Sequence, residues 1–323
     1  MRMGRIFLVL VALASLVQAL PAMASAEGSF QRSLSVTGPV SLDVATGSGS
    51  IQVSTGGSNQ VQVTGHIRVT EWFGGNADEK VRRLEANPPI QQSGNSIRVG
   101  HIDDPELRHN VSISYELVVP AQADLRSHTG SGNQTVDGVH GPLDVSTGSG
   151  GLKVYNISDA VRADTGSGDI EITHVKGFVR AKTGSGSIEA TDIGGGFEAD
   201  TGSGHIRLEQ TAPGAVRAST GSGRLELRGV NGSLEAKAGS GTIRADGNPS
   251  GAWTVHTGSG SVQLKFPTEA AFDLDAHTSS GSISVDHPVT VQGSIGRKEV
   301  RGRVRGGGVP VEIETGSGNI EIE

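Results

Sequence analysis

The sequence predicts an all-β protein: a parallel β-solenoid (β-helix) of ~18-residue two-strand coils, with one short helix in the N-terminal region. Three observations carry this expectation. The tetrapeptide Thr-Gly-Ser-Gly returns at a nearly constant interval, and a strand of alternating apolar and polar residues follows it. The composition, 49 Gly in 323 residues with 3% aromatics and no Cys, suits a narrow interior with tight corners better than a bulky core.

Complete copies of the tetrapeptide begin at Thr46, Thr129, Thr147, Thr165, Thr183, Thr201, Thr220, Thr257 and Thr315, with degenerate copies at Ala238 and Thr278. From Thr129 to Thr278 the starts lie 18, 18, 18, 18, 19, 18, 19 and 21 residues apart. In the unit 165–182, the corner leads to Asp169-Ile170-Glu171-Ile172-Thr173. His174-Val175-Lys176-Gly177 then turns the chain into Phe178-Val179-Arg180-Ala181-Lys182. Two such short strands cannot bury an apolar face alone, but stacked copies can.

Columns of equivalent residues support the stack. After the corner come Leu152, Ile170, Ile188, Ile206, Leu225, Ile243, Val262, Ile283 and Ile320. On the other strand come Leu143, Val161, Val179, Phe197, Val216, Leu234, Trp253 and Phe272. Because 18 is even, a period-two strand keeps the same face inward in every coil. The outward columns mostly alternate in sign, as in Lys153, Glu171, Glu189, Arg207, Glu226 and Arg244. Parallel stacking sets such residues roughly 4.8 Å apart, where opposite charges attract. An antiparallel meander would not bring them together, so the solenoid is preferred. Residues 125–285 are expected to form one continuous stack of about nine coils, a rod of roughly 40 Å.

In chain order, residues 1–26 read as a signal peptide. Arg2 and Arg5 precede an apolar run, and Ala22-Met23-Ala24 or Ala24-Ser25-Ala26 offers the cleavage site. The expected location is therefore periplasm, cell surface or extracellular, with no transmembrane segment after cleavage. Residues 27–124 are opening coils with a helical insertion at about 76–86, where Asn76 can cap, acids come early, and Pro88-Pro89 stops the helix. Residues 125–285 are the regular Thr-Gly-Ser-Gly array. Residues 286–323 are a basic Gly-rich loop and a closing coil, whose terminal glutamates would discourage end-to-end pairing.

That loop holds the one candidate binding cluster, Lys298, Arg301, Arg303 and Arg305 beside Gly306-Gly307-Gly308. It reads either as a contact for anionic glycan, lipid head groups or a protein, or as a solvated insertion that balances an acidic rod. The second is preferred. Net charge is −7, or −9 without the two leader arginines, and lacks the basic patch of a nucleic-acid binder.

Other chemistries fit poorly. A phosphate loop needs a helix after its glycines and a Lys beside them, whereas each Gly-x-Gly here opens a strand. A calcium β-roll needs a column of Asp. The residue after the last Gly is Asp only at Asp169 among the copies, with His205 and Arg224 among the others. Asp164, Lys182, Glu198 and Asp200 could imitate a polysaccharide-cleaving β-helix, but equivalent charges recur on coil after coil. His256 and His277, expected in one outward column of adjacent coils with Asp273 or Asp275 near, could hold a metal with a third ligand. A surface pair is the preferred reading, so no catalytic, metal or cofactor site is expected.

The pattern as a whole resembles the putative-adhesin family of bacterial exported proteins, a β-strand-repeat domain of largely unknown function. The resemblance rests on Leu42-Asp43-Val44, Gly49-Ser50-Ile51-Gln52-Val53, Tyr115-Glu116-Leu117-Val118-Val119-Pro120, the repeated Thr-Gly-Ser-Gly-x-Ile, and Thr315-Gly316-Ser317-Gly318-Asn319-Ile320-Glu321-Ile322. It implies an extracytoplasmic β-solenoid and no catalytic residues to carry over. The expected function is a non-catalytic, adhesin-like binding or structural scaffold of the cell envelope with a glycan, cell-surface or protein partner. An envelope-stress sensor or decoy that binds cationic peptides is the first alternative, and a carbohydrate-active enzyme the second.

Overall fold

A computed structural model describes residues 24–57, 59–71, 76–291 and 296–323. The expected leader lies outside the described residues except for positions 24–26, which begin the strand Ala24–Ser35. Residues 72–75 also lie outside them. No helix among the described residues is long and apolar enough to cross a membrane.

Each regular coil places one strand on each of two faces. The leading strands run into the Thr-Gly-Ser corner, as in Leu143–Ser149, Val161–Ser167, Val179–Ser185 and Phe197–Ser203. The trailing strands leave it, as in Leu152–Ile157, Ile170–Val175 and Ile188–Ile193. Pairing is parallel and runs between coils. Val161 lies against Leu143 on one side and Val179 on the other, and Ile170 lies against Leu152 and Ile188. The inward columns are buried except at the outer coil, where Ile283 is half-buried, while the charged columns face out.

The tetrapeptide has a structural explanation. Its threonine points inward and is buried, and its hydroxyl donates to a glycine carbonyl of the neighbouring coil. Thr165 reaches Gly150 at 3.0 Å, Thr183 reaches Gly168 at 3.0 Å, and Thr201 reaches Gly186 at 2.9 Å. A buried hydroxyl without a partner would be costly, and the neighbouring coil satisfies each one; Thr46, at the first coil, donates to Ile113 O at 2.9 Å in place of a glycine. Glycine is required because the coils approach backbone to backbone at the corner. At Gly168, with φ +156°, a Cβ would run into the Gly150 carbonyl.

The opposite corner has a column that the alternation alone does not reveal. Ile157, Val175 and Ile193 are buried there, each preceded by a left-handed residue, Asn156, His174 or Asp192, with φ between 56° and 57°. Asn, Asp and His tolerate that conformation best after glycine. Their side chains link coils in turn: Asn156 Nδ2 donates to Asp137 Oδ1 at 2.7 Å, and Thr211 Oγ1 donates to Asp192 Oδ1 at 2.8 Å. In the first 19-residue repeat, buried Gln210 occupies this column. Its Nε2 donates to Gly195 O at 2.9 Å and Gly214 O at 3.2 Å, so a polar side chain fills the irregularity.

At both ends the stack departs from chain order. The coil Val40–Ser48 and Ile51–Thr55 lies between the coil of Ala123–Ser131 and Gln134–Asp137 and the strands Ser96–Val99 and Val111–Val119. At the far end, Val309–Ser317 and Ile320–Ile322 slot between Ile243–Ser259 and Phe272–Ser280 and between Val262–Lys265 and Ile283–Val285, respectively. The expected unbroken sequence of coils through 285 is therefore corrected. Val311 follows Trp253 in the column and Leu274 follows Val311, two residues from the expected Phe272. Of the terminal glutamates, Glu321 stands inside the sheet, paired with Gln263 on one side and Ser284 on the other, and does not guard an edge.

The sheet is thus mixed, parallel through the array and antiparallel at its ends. At the first end Gln60–Glu71 pairs antiparallel with both Val111–Val119 and Ala24–Ser35. It runs straight through Gly65, where the Phe30 ring occupies the space a side chain would fill. At the other end Glu299–Val304 pairs antiparallel with Phe272–Ser280, and Val289–Val291 pairs with Glu299–Val304. The supposed loop is largely strand; residues 292–295 are outside the described set.

The expected helix forms at Ala77–Ala86, with Asp78 and Glu79 in its first turn. Asn76 precedes it without making the expected side-chain capping bond. Ala77, Val81 and Leu84 bury against the antiparallel strands, and Glu85 Oε1 accepts from the Ser29 amide at 2.9 Å. A second, one-turn helix at Pro105–Arg108 was not foreseen; Asp104 caps it through the Glu106 amide.

Candidate binding faces

The basic cluster is placed on and beside the last antiparallel strand, and each cation is engaged. Arg301 Nε lies 3.0 Å from Asp275 and 3.4 Å from Glu299, and Arg303 Nε lies 3.8 Å from Asp273. Arg305 contacts Glu269 at 3.4 Å and donates to Thr268 O at 2.6 Å. Lys298 Nζ donates to Ser279 O at 2.8 Å. The hydrogen bond and charge of Asp275 hold the Arg301 guanidinium even more firmly protonated than usual.

The ladders on the solenoid faces behave similarly. Arg162 and Arg180 are like-charged neighbours in register, yet Arg162 turns to Asp164 at 2.7 Å and Arg180 turns to Glu198 at 3.2 Å. Glu171 and Glu189 are also adjacent. Glu171 meets Lys153 at 3.2 Å, and Glu189 faces Arg207 at 4.0 Å. Lys182 lies between Asp164 and Asp200 in register. Hydrogen bonds from Lys237 and Arg217 hold the Glu235 carboxyl below the usual range. Exposed pairs of this kind add little stability each, but they remove the repulsion a like-charged column would carry.

One feature departs from the repeat and was missed in the sequence. Phe178 is 47% exposed, the one large apolar side chain so exposed among the described residues. It precedes inward Val179, at a position where other coils carry Pro142, Ala160, Gly196, Ala215, Ser233 and Ala252. Its ring leans over Gly196, where a Cβ would come within 3.0 Å of Cδ2. Beyond it runs a groove of about 440 Å³, lined by Ala215, Leu234 and Ala252 with Glu198, Arg217 and Glu235 alongside. The signal was readable: the residue before an inward position faces out, and a lone Phe among small residues stands out there.

The two histidines are not in adjacent coils. Glu314 of the intercalated coil lies between them, giving the register His256, Glu314, His277, Glu299 across four strands, the last antiparallel. His256 Nδ1 is 3.4 Å from Glu314 Oε2.

Residues 176–323 match the family described as Toastrack DUF4097, which bears out the resemblance to the putative-adhesin family. A search of curated proteins finds no match. Among solved structures, a putative cell adhesion protein from Clostridium sporogenes aligns over 91% of this chain and 99% of its own, at 11% identity and a TM-score of 0.23. A putative adhesin from Bacteroides fragilis aligns over 92% and 97%, at 13% identity and a TM-score of 0.32. Superpositions this loose say nothing further about the chain.

Proposed function

We propose that the chain, whose residues 176–323 match the Toastrack DUF4097 family, is an exported, non-catalytic scaffold of the cell envelope that binds a surface partner across its repeated polar faces. One observation carries the proposal: outward charges recur on successive coils and are answered within the ladder, whereas catalysis requires a local constellation that breaks the repeat. The leader-like residues 1–26 support export. The pairing of Glu171, Glu189, Glu198, Glu226 and Glu235 with arginines and lysines favours a scaffold over a decoy for cationic peptides, since these ladder acids are already engaged.

A glycan array and a pull-down from envelope fractions, both with the chain lacking its leader, test this reading. Binding should survive Glu189→Gln alone; neutralising Glu171, Glu189 and Glu226 together should weaken a cationic partner more, with a loss that fades as salt rises, whereas glycan or surface binding should persist in salt. Abolition of binding by Phe178→Ala alone would replace the distributed face with a single anchor. A chemical turnover abolished by one substitution at Asp164, Glu198 or Asp200 would replace the scaffold with an enzyme.

A further inference from the structure

We propose that the row His256, Glu314 and His277, with Glu299 beside it, is a surface site for a divalent transition-metal ion such as Zn²⁺. The three central residues come from separate segments, and they share one outward row because the closing coil intercalates. The two histidines are two strand spacings apart, roughly 9–10 Å. A ligand midway is within reach of an imidazole from each side and of the Glu314 carboxylate between them. Two imidazoles and a carboxylate are a borderline donor set that suits zinc and its neighbours, unlike the all-oxygen set that calcium and magnesium take.

The side chains do not yet converge. No group of three His, Asp or Glu side chains stands in a ligating arrangement among the described residues. His256 Nδ1 and Glu314 Oε2 are already 3.4 Å apart, and His277, exposed on the same row, needs only side-chain rotation to join them. Glu299 follows in register but is drawn to Arg301 at 3.4 Å, which leaves it as a possible fourth ligand in competition with that cation. Lys237 borders the row on its other side and is held by Glu235 at 2.6 Å, turned to a carboxylate of its own strand. The row adjoins one end of the Phe178 groove, whose lining includes Thr254 two residues before His256, and the site does not depend on the scaffold reading.

Zinc titration of the tag-free chain by calorimetry tests the proposal, with nickel and calcium as comparisons. One saturable zinc site per chain is expected, with calcium much weaker. His256→Gln, His277→Gln and Glu314→Gln should each weaken zinc binding at least 10-fold, the scale on which even outer supports of a metal site act. His205→Gln, on another coil, should leave it unchanged. Zinc should also raise the melting temperature of the parent chain and not that of the doubly substituted His256→Gln/His277→Gln chain. Because all three side chains are exposed, these variants should fold, and circular dichroism verifies that they do. Unsaturable binding, or saturable binding indifferent to both histidines, overturns the assignment.

Discussion

The middle of the stack and its two ends are built from the same coil, yet they obey different rules. Between Leu143 and Ser222, neighbours in the chain are neighbours in the stack, and every inward column advances one coil at a time. At the ends the coil nearest in sequence is displaced. Residues 40–55 and 309–322 lie one place inside, and the chain passes over them before supplying an outer coil. Local alternation is the same in both regions, so it cannot be what sets the order. Each threonine needs a carbonyl from whichever coil lies beside it. Thr165 finds Gly150, from its predecessor in the chain, whereas Thr278 finds Gly318 of the closing coil at 2.9 Å. The motif makes coils interchangeable, and the connectors decide which is inserted where.

The arrangement also protects the ends. A bare solenoid would present open parallel edges to other chains. Here antiparallel strands lie beyond the last coils on the leading face at both ends and on the trailing face at the first. The outermost long strand, Ala24–Ser35, is further blunted where Glu85 takes the Ser29 amide and Gln92 donates to Ser35 O at 2.8 Å.

The largest expected effect separates the two regions directly. Removing residues 309–323 takes away buried Val311, Ile313, Ile320 and Ile322, each contributing about 1.5–3 kcal/mol, and opens the sheet on both sides of the gap. Hydrogen exchange should then show lost protection across 243–285. Deleting 165–182, a whole 18-residue coil of the middle, should leave a cooperatively folded chain, because Val161 then meets Phe197 and Leu152 meets Ile188 in the same inward columns. Equal damage from the two deletions would show that the middle coils are not interchangeable.

A substitution in the middle should come next in size. Ile206→Asp places an unpaired charge in a column of Ile188 and Leu225, where Ile206 is 1% exposed, and should cost several kcal/mol in urea unfolding. Arg207→Ala, one residue on and facing solvent, should cost under about 1 kcal/mol.

A smaller effect follows from the degenerate corner that lacks the threonine. Ala238 is buried between Thr220 and Thr257 in register and has no hydroxyl to give. Ala238→Thr should stabilise by about 1 kcal/mol, and Thr183→Ala should destabilise by a similar amount. A loss on adding the hydroxyl at 238 would mean that the site lacks room for it.

The smallest effect is electrostatic. Glu235 is depressed in the folded chain by Lys237 and Arg217, so its contribution is present above its unfolded pKa, near pH 4, and disappears as pH falls through the folded value. Glu235→Gln should flatten acid unfolding slightly below about pH 4 and leave the neutral-pH midpoint nearly unmoved, since the pair is exposed.

The sequence by itself determined the coil: its period, its two inward columns, its outward charge ladders and the helix near residue 80. All of these follow from local rules, since alternation picks the buried face and an even period keeps it. It also carried the Phe178 exception, legible once Val179 is set inward. What only the tertiary structure decided is the order of the coils at the ends, and with it the partners of the basic cluster and the placing of Glu314 between His256 and His277. The reason is degeneracy. Thr278, Thr315 and Thr257 offer the same hydroxyl to the same kind of carbonyl, so no local pattern ranks their neighbours. That choice rests on the connectors and on the aromatic packing of Trp253, Phe266 and Phe272, with ring centroids 5.0 and 4.7 Å apart, which exists only after the coils have met.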